Sequence, residues 1–260
     1  MSTDSTRLGT AAQRLRELHQ TGNPLILVNA WDAATARQVE AVGGLAVATS
    51  SAAVAAARGE PDDNTGREAA FTALRQIAHA VGLPVTADVE GGYGLPGRDL
   101  VEALLDAGAV GCNIEDTDHS TGDRLLDADA HAAYLAEVRA AADASGVPLV
   151  INARIDTIAR DPQHDAKATM VETIRRARLY FEAGADCVYP IRLSDPTLAA
   201  DLVDAVGRRP VNVNPSLPLA ALAQAGVARV SVGAGPFRFL MAEFERRAKL
   251  LLAGDATAFA

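Results

Sequence analysis

Cysteine is scarce in this 260-residue chain, and the two present, Cys112 and Cys187, both fall inside apolar runs. That argues against a disulfide-stapled scaffold and fits buried free thiols in a reducing compartment, hence a cytoplasmic location. Positive charge is also in deficit: 24 Lys and Arg face 33 Asp and Glu, a net of −9. A surface of that sign repels phosphate backbones and anionic headgroups, so neither nucleic acid nor membrane is expected as a partner. Missing too is any uninterrupted apolar stretch of roughly 18 residues, the length a bilayer span requires. The run 52–57 is short and follows Ser50 and Ser51, and Met1–Arg7 is polar, without the apolar segment of a secretory signal. The expectation is a soluble cytoplasmic protein acting on a small molecule.

What is present is hydrophobic mass, 49% of the chain, arranged with regular punctuation. Helix-like stretches end in Gly, a residue suited to a left-handed C-cap, and short apolar runs follow. The junctions Val42-Gly43-Gly44-Leu45, Ala107-Gly108-Ala109-Val110, Ala183-Gly184-Ala185-Asp186 and Ala225-Gly226-Val227-Ala228 share this form, and those at Gly82, Gly146 and Gly207 add a proline. They place strands near Leu25–Asn29, Leu45–Thr49, Val85–Asp88, Val110–Glu115, Leu149–Arg154, Cys187–Ile191, Val211–Asn214 and Arg229–Val232. Eight strands alternating with helices imply an α/β fold, a closed (β/α)8 TIM-type barrel forming one domain over residues 1–260. A doubly wound open sheet is the alternative, less compatible with eight evenly spaced strands. Two segments lie outside the eight units. Leu8, Ala12, Leu15 and Leu18 define an extra amphipathic N-terminal helix across one barrel end. The C-terminal segment 237–252 gathers Phe237, Leu240, Met241, Phe244, Ala248 and Leu251 on one face, either as the eighth barrel helix or as a subunit interface.

Active sites of such barrels form at the C-terminal ends of the strands. There the sequence supplies polar pairs two residues apart: Asp88 and Glu90, Asn113 and Glu115, Asn152 and Arg154, Asn212 and Asn214. Within a strand this spacing puts both side chains on one face. Asp88, Glu90 and Glu115 would then converge as three carboxylates, a repulsive arrangement that a hard divalent cation relieves, with Mg²⁺ or Mn²⁺ favoured by all-oxygen donors. The alternative is a set of rim ion pairs. Arg154 has the planar fork to clamp a substrate carboxylate, or could neutralise Glu115. Of the five histidines only His119 lies on a loop placed to meet substrate. The turn Gly91-Gly92-Tyr93-Gly94 lets the backbone approach a ligand, and Gly233-Ala234-Gly235 after strand eight is either a tight turn or a phosphate cradle.

The run Thr86-Ala87-Asp88-Val89-Glu90-Gly91-Gly92-Tyr93-Gly94 resembles the acidic metal motif and Gly-Tyr-Gly turn of the isocitrate lyase/phosphoenolpyruvate mutase superfamily. Similar matches run through Asn29-Ala30-Trp31-Asp32, Thr49-Ser50-Ser51, Gly59-Glu60-Pro61-Asp62, Gly111 to Asp116 and Asn152-Ala153-Arg154. The resemblance implies that Asp62, Asp88, Glu90 and Glu115 hold Mg²⁺ directly or through water. It also implies that Ser50, Ser51 and Ala52 line the substrate pocket and that Arg154 stabilises an oxo-acid; Trp31, Asp88, Tyr93, Asn113, Asn212 and Asn214 are the further candidates for substrate binding. A homotetramer or homodimer, with the last helix exchanged between subunits, is implied as well.

One departure bears on the reaction. Superfamily members that cleave isocitrate or methylisocitrate carry a loop resembling Lys-Arg-Cys-Gly-His after strand four. Here that loop reads Thr117-Asp118-His119-Ser120-Thr121-Gly122-Asp123-Arg124. It contains neither Cys nor Lys, and it lacks the Lys and Asn of the phosphonate-handling members. His119, Glu115, Arg124 and Arg154 are therefore the catalytic candidates. The expectation is a Mg²⁺-dependent C–C lyase or decarboxylase of a small 2-oxo or 2-hydroxy dicarboxylate, acting through an enolate-like intermediate. Phosphonopyruvate-type C–P chemistry and a non-catalytic 2-oxo acid-binding protein are the alternatives.

Overall fold

A computed structural model describes residues 3–61, 66–160, 166–215 and 218–260. Eight parallel strands close on themselves: β1 (Leu25–Leu27, continuing as Asn29–Ala30), β2 (Val47–Thr49), β3 (Val85–Asp88), β4 (Gly111–Glu115), β5 (Val150–Ile155), β6 (Cys187–Pro190), β7 (Asn212–Val213) and β8 (Arg229–Ser231). The interruption of β1 at Val28 lets one strand serve two neighbours. Its first part pairs with β8 and its second with β2, while a Val188–Val211 bridge joins β6 to β7. The result is a (β/α)8 barrel, as the punctuation predicts.

The helices are α1 (Thr3–Glu17), α2 (Ala33–Ala41), α3 (Ser51–Ala57), α4 (Arg67–Ala80), α5 (Gly97–Asp106), α6 (Ala128–Ser145), α7 (Ala166–Glu182), α8 (Pro196–Ala205), α9 (Leu219–Gln224) and α10 (Gly235–Leu252). Helices α2 and α4 to α9 bury apolar residues in the large cluster between helices and sheet, with Ile77, Leu100, Leu135, Tyr180 and Leu202 fully enclosed. The N-terminal helix does what its pattern predicts. Leu8, Ala12 and Leu15 pack with Leu25, Leu27, Ala48 and Val150 in a second cluster that plugs the bottom of the barrel. Gly111 makes room for this plug, since a Cβ there would lie 2.8 Å from Leu15 Cδ2 and 3.1 Å from the Val150 carbonyl. Arg16 ties the helix to the barrel through Asp186 and the Pro148 carbonyl. With its lower end filled, the barrel presents its cavity at the C-terminal ends of the strands.

Helix α10 differs from the others. It follows β8 but contributes no buried side chain, and Phe239, Leu240, Met241 and Phe244 are 71%, 49%, 48% and 57% exposed. Of the two roles open to it from sequence, packing as an eighth barrel helix does not describe this chain by itself.

Candidate active site

The C-terminal mouth of the barrel opens into a cavity of about 440 Å³. Every strand supplies lining residues, most of them near or just beyond its C-terminal end, and β8 adds Arg229 from its first position. Asp88, the last residue of β3, is held from two sides. Ser51 donates to its Oδ2 from the backbone N–H at 3.0 Å and from Oγ at 2.9 Å, and Asn113 Nδ2 donates to its Oδ1 at 3.1 Å. Asn152 in turn donates to Asn113 Oδ1 at 2.7 Å. Register explains the row, because Asp88, Asn113 and Asn152 are direct cross-strand partners. The carboxylate therefore faces the cavity in a fixed orientation, with lone pairs left for a ligand.

Two residues further along β4 and β5, Glu115 opposes Arg154. Arg154 Nη1 lies 2.5 Å from Glu115 Oε2, and its Nε and Nη2 donate to Asp156 at 2.6 and 2.9 Å. Thr117 Oγ1 also donates to Asp156, at 2.6 Å. Burial opposes the Arg154 charge, but Glu115 and Asp156 outweigh it and hold the guanidinium protonated. Burial pushes the Glu115 carboxyl above its ordinary range, while His119 and Arg154 pull it back. His119 bridges two acids: Nε2 meets Glu115, and Nδ1 lies 2.7 Å from Asp123, whose other oxygen accepts from Arg160 at 2.9 Å. With three of its N–H groups committed, Arg154 keeps two for an incoming carboxylate.

This geometry corrects several expectations. Asp88, Glu90 and Glu115 do not converge, and among the described residues no three of His, Cys, Asp and Glu gather as a ligand set. Strand β3 ends at Asp88, so the alternation assumed for Glu90 lapses; Glu90 has φ 50° and sits buried in the following turn, outside the cavity lining. Glu115 is 2% exposed and already ion-paired, the alternative role for Arg154 read from sequence. Asp62 lies outside the described residues. Trp31 packs edge-on against Phe237 with ring centroids 5.2 Å apart and does not line the cavity. Tyr93 stands behind Asp88 against Phe71, where burial pushes its phenol up. Asn212 is fully buried and donates to Ser231 Oγ at 3.0 Å, whereas Asn214 reaches the lining. Arg124 is exposed on a short hairpin outside the lining. In the Gly233 turn, Asn29 Oδ1 accepts the N–H groups of Val232 and Gly233 at 3.0 and 2.9 Å, which takes both donors away from a ligand.

Ser50, Ser51, Ala52, Asp88, Asn113, His119, Arg154 and Asn214 do line the cavity together. Ser50 also caps α3, its side chain accepting from the Ala53 N–H at 3.3 Å. Sequence reasoning missed Asn29's structural role and the arginines Arg160, Arg192, Arg229 and Arg238 that complete the lining. Among the described lining residues Asp88 is the only carboxylate, opposed by those four arginines and Arg154. Such a field favours an anionic ligand.

The profile of the phosphoenolpyruvate phosphomutase family matches residues 15–252. The chain belongs to this family. Within the wider isocitrate lyase/phosphoenolpyruvate mutase superfamily, it is 33% identical over 225 residues to an uncharacterized protein of Mycobacterium tuberculosis, covering 85% of this chain and 82% of that protein. It is 31% identical to the 2-methylisocitrate lyase of Escherichia coli over 71% of this chain and 63% of the lyase. A solved Burkholderia cenocepacia protein superposes with TM-score 0.86 at 39% identity, covering 95% of this chain and 99% of the other. The family is enzymatic, and its members act on small carboxylates, phosphonates among them. Among the described residues no helix is long and apolar enough to cross a membrane.

Proposed function

We propose that this family member is a Mg²⁺-dependent lyase or decarboxylase that breaks a C–C bond in a small 2-oxo or 2-hydroxy dicarboxylate. The observation that carries the reading is Asp88, a carboxylate fixed by Ser51 and Asn113 in a cavity whose other charged lining residues, among those described, are arginines. The donor set fits a hard cation: Mg²⁺ is commonly held by one or two carboxylates and keeps several waters. Asp88 would bind it from the cavity, whereas both oxygens of Glu115 are engaged by Arg154 and His119. When bound, the ion would supply Lewis-acid stabilisation of oxygen charge developing on the substrate.

The chain's own groups do the rest. Arg154, kept charged by Glu115 and Asp156, offers its two remaining N–H donors to the oxo-acid carboxylate and stabilises negative charge as the bond breaks. His119, held between Glu115 and Asp123 at the cavity edge, is placed to return a proton to the carbanion carbon, standing in for the cysteine of the lyase loop. The 2-methylisocitrate lyase relatives support C–C cleavage, and the TM-score of 0.84 to oxaloacetate acetylhydrolase, at 21% identity, supports the same barrel. A second reading, C–P chemistry, is favoured by the 34% identity over 187 residues to a carboxyvinyl-carboxyphosphonate phosphorylmutase of Arabidopsis thaliana, of which this chain spans 53%.

The exposed apolar face of α10 supports a homotetramer or homodimer in which this helix packs on a second copy.

The test is an NMR product assay with Mg²⁺ against oxaloacetate, isocitrate, 2-methylisocitrate and phosphonopyruvate, each repeated with EDTA. EDTA-sensitive C–C cleavage of one acid is expected. A ³¹P signal moving from phosphonate to phosphate would select the second reading. Ligand-induced stabilisation without product from any acid would leave a binding protein.

A further inference from the structure

Arg229 is an oddity of the barrel interior. It opens β8, lies inward on the same face as Ser231, and is 2% exposed. Its Nε and Nη1 have no hydrogen-bond partner, although the residue forms part of the cavity lining. The titratable groups around it do not supply a full counter-charge. Burial pushes the Cys187 and Cys112 thiols up to about 12, so both stay neutral. Burial, reinforced by Arg229 itself, pushes His19 down to about 4. Tyr189 is a buried phenol whose pKa is raised. Asp88 is the one anion among these neighbours, and it acts on Arg229 as a charge without a hydrogen bond between them. Thr86 Oγ1, a further lining atom, also has no partner.

Leaving a buried guanidinium short of a counter-charge is costly, and an anion delivered by a ligand removes that cost. We propose that Arg229 is a specificity-determining residue: its guanidinium receives the second, distal carboxylate of the ligand. The inference rests on the reading of the cavity as an oxo-acid site. Arg154 and Asp88 serve the 2-oxo carboxylate end, and Arg229 distinguishes a dicarboxylate from a monocarboxylate of similar shape. Selectivity follows from the asymmetry: a monocarboxylate fills the first end but leaves Arg229 uncompensated, as an analogue lacking a hydrogen-bonding group does in any site built for it.

The experiment is calorimetric binding with Mg²⁺ present, using 3,3-difluorooxaloacetate and pyruvate as probes on wild type, Arg229→Met and Arg229→Lys. Wild type is expected to prefer the dicarboxylate by about tenfold or more. Arg229→Met should lose about tenfold in dicarboxylate affinity while pyruvate affinity changes less than about twofold, and Arg229→Lys should keep part of the preference. A thermal melt of ligand-free Arg229→Met should match or exceed wild type, because a buried, poorly compensated charge is gone. Arg229→Lys keeps the test alive if the Met variant does not fold. Unchanged preference in the variants, or equal loss for both probes with a lowered melting temperature, overturns the assignment. Failure of wild type to bind either probe would overturn the oxo-acid reading itself.

Discussion

Glu115 and Arg154 stand opposite one another in the β4–β5 register, and their side chains close to 2.5 Å at the mouth of the barrel. Glu115, with His119 on its other oxygen, sets the charge and direction of Arg154, and Asp156 fixes the remaining edge of the fork.

Removing Arg154 therefore has two consequences. Arg154→Ala should lower turnover by on the order of 10²-fold or more through lost charge stabilisation. It should also cost about 3–5 kcal/mol of stability, because Glu115 and Asp156 are left buried without their cation. Steady-state kinetics and urea unfolding check the two separately. Retained turnover in a folded variant removes Arg154 from the mechanism.

Ser51 donates twice to Asp88 Oδ2, so its hydroxyl orients the proposed metal ligand. Ser51→Ala keeps the backbone donor and should weaken Mg²⁺ binding by roughly 10-fold, the scale of lost outer-sphere partners. Titration of activity against Mg²⁺ gives the apparent affinity, and an unchanged midpoint would detach Ser51 from the metal.

Just past the end of β4, Asp116 is fully buried and accepts from Arg176 at 2.8 Å, from Tyr180 at 2.7 Å and from the Asp156 N–H at 2.8 Å. Burial pushes its carboxyl up, but these donors keep it part of a closed network. Asp116→Ala should destabilise by about 3–5 kcal/mol, measured by denaturant titration, as Arg176 is left buried without its main anion.

His131 is buried against Tyr180, with its pKa pushed down to about 3 by burial and then by Arg176. Between pH 6.5 and 3 the unfolded chain binds a proton that the folded one refuses. Stability is thus fully present above 6.5 and falls with pH across that window, by up to roughly 5 kcal/mol from this residue. His131→Phe should flatten the acid limb of a stability–pH profile, and an unchanged limb would show that His131 contributes nothing to it.

The barrel was legible because Gly-ended helices and short apolar runs reflect local backbone demands, as at Gly108 and Gly184, both with positive φ. Asp88, Asn113 and Arg154 were legible because each sits within a regular strand whose alternation holds. Glu90 was not, since β3 stops two residues earlier and the period-2 argument has no force in a turn. Trp31 escaped for another reason: its position depends on Phe237, more than two hundred residues away. Arg229 carried a weak signal, a lone cation opening an apolar run two residues before Ser231, and only closure of β8 onto β1 shows it under the cavity. The apolar face of α10 was visible in the sequence, but its exposure was not.

If α10 packs on a second copy, Phe244→Glu should shift the protein to a smaller species in light scattering coupled to size exclusion. A wild-type monomer would refute the packing.

The central claim is that Asp88 and a divalent cation together make the oxo-acid site. It is tested most directly by calorimetric titration of oxalate into wild type and Asp88→Asn, each with Mg²⁺ and with EDTA. The account predicts that Mg²⁺ strengthens oxalate binding to wild type by at least about 100-fold and leaves Asp88→Asn nearly unaffected. Equal oxalate affinity in all four conditions would contradict it.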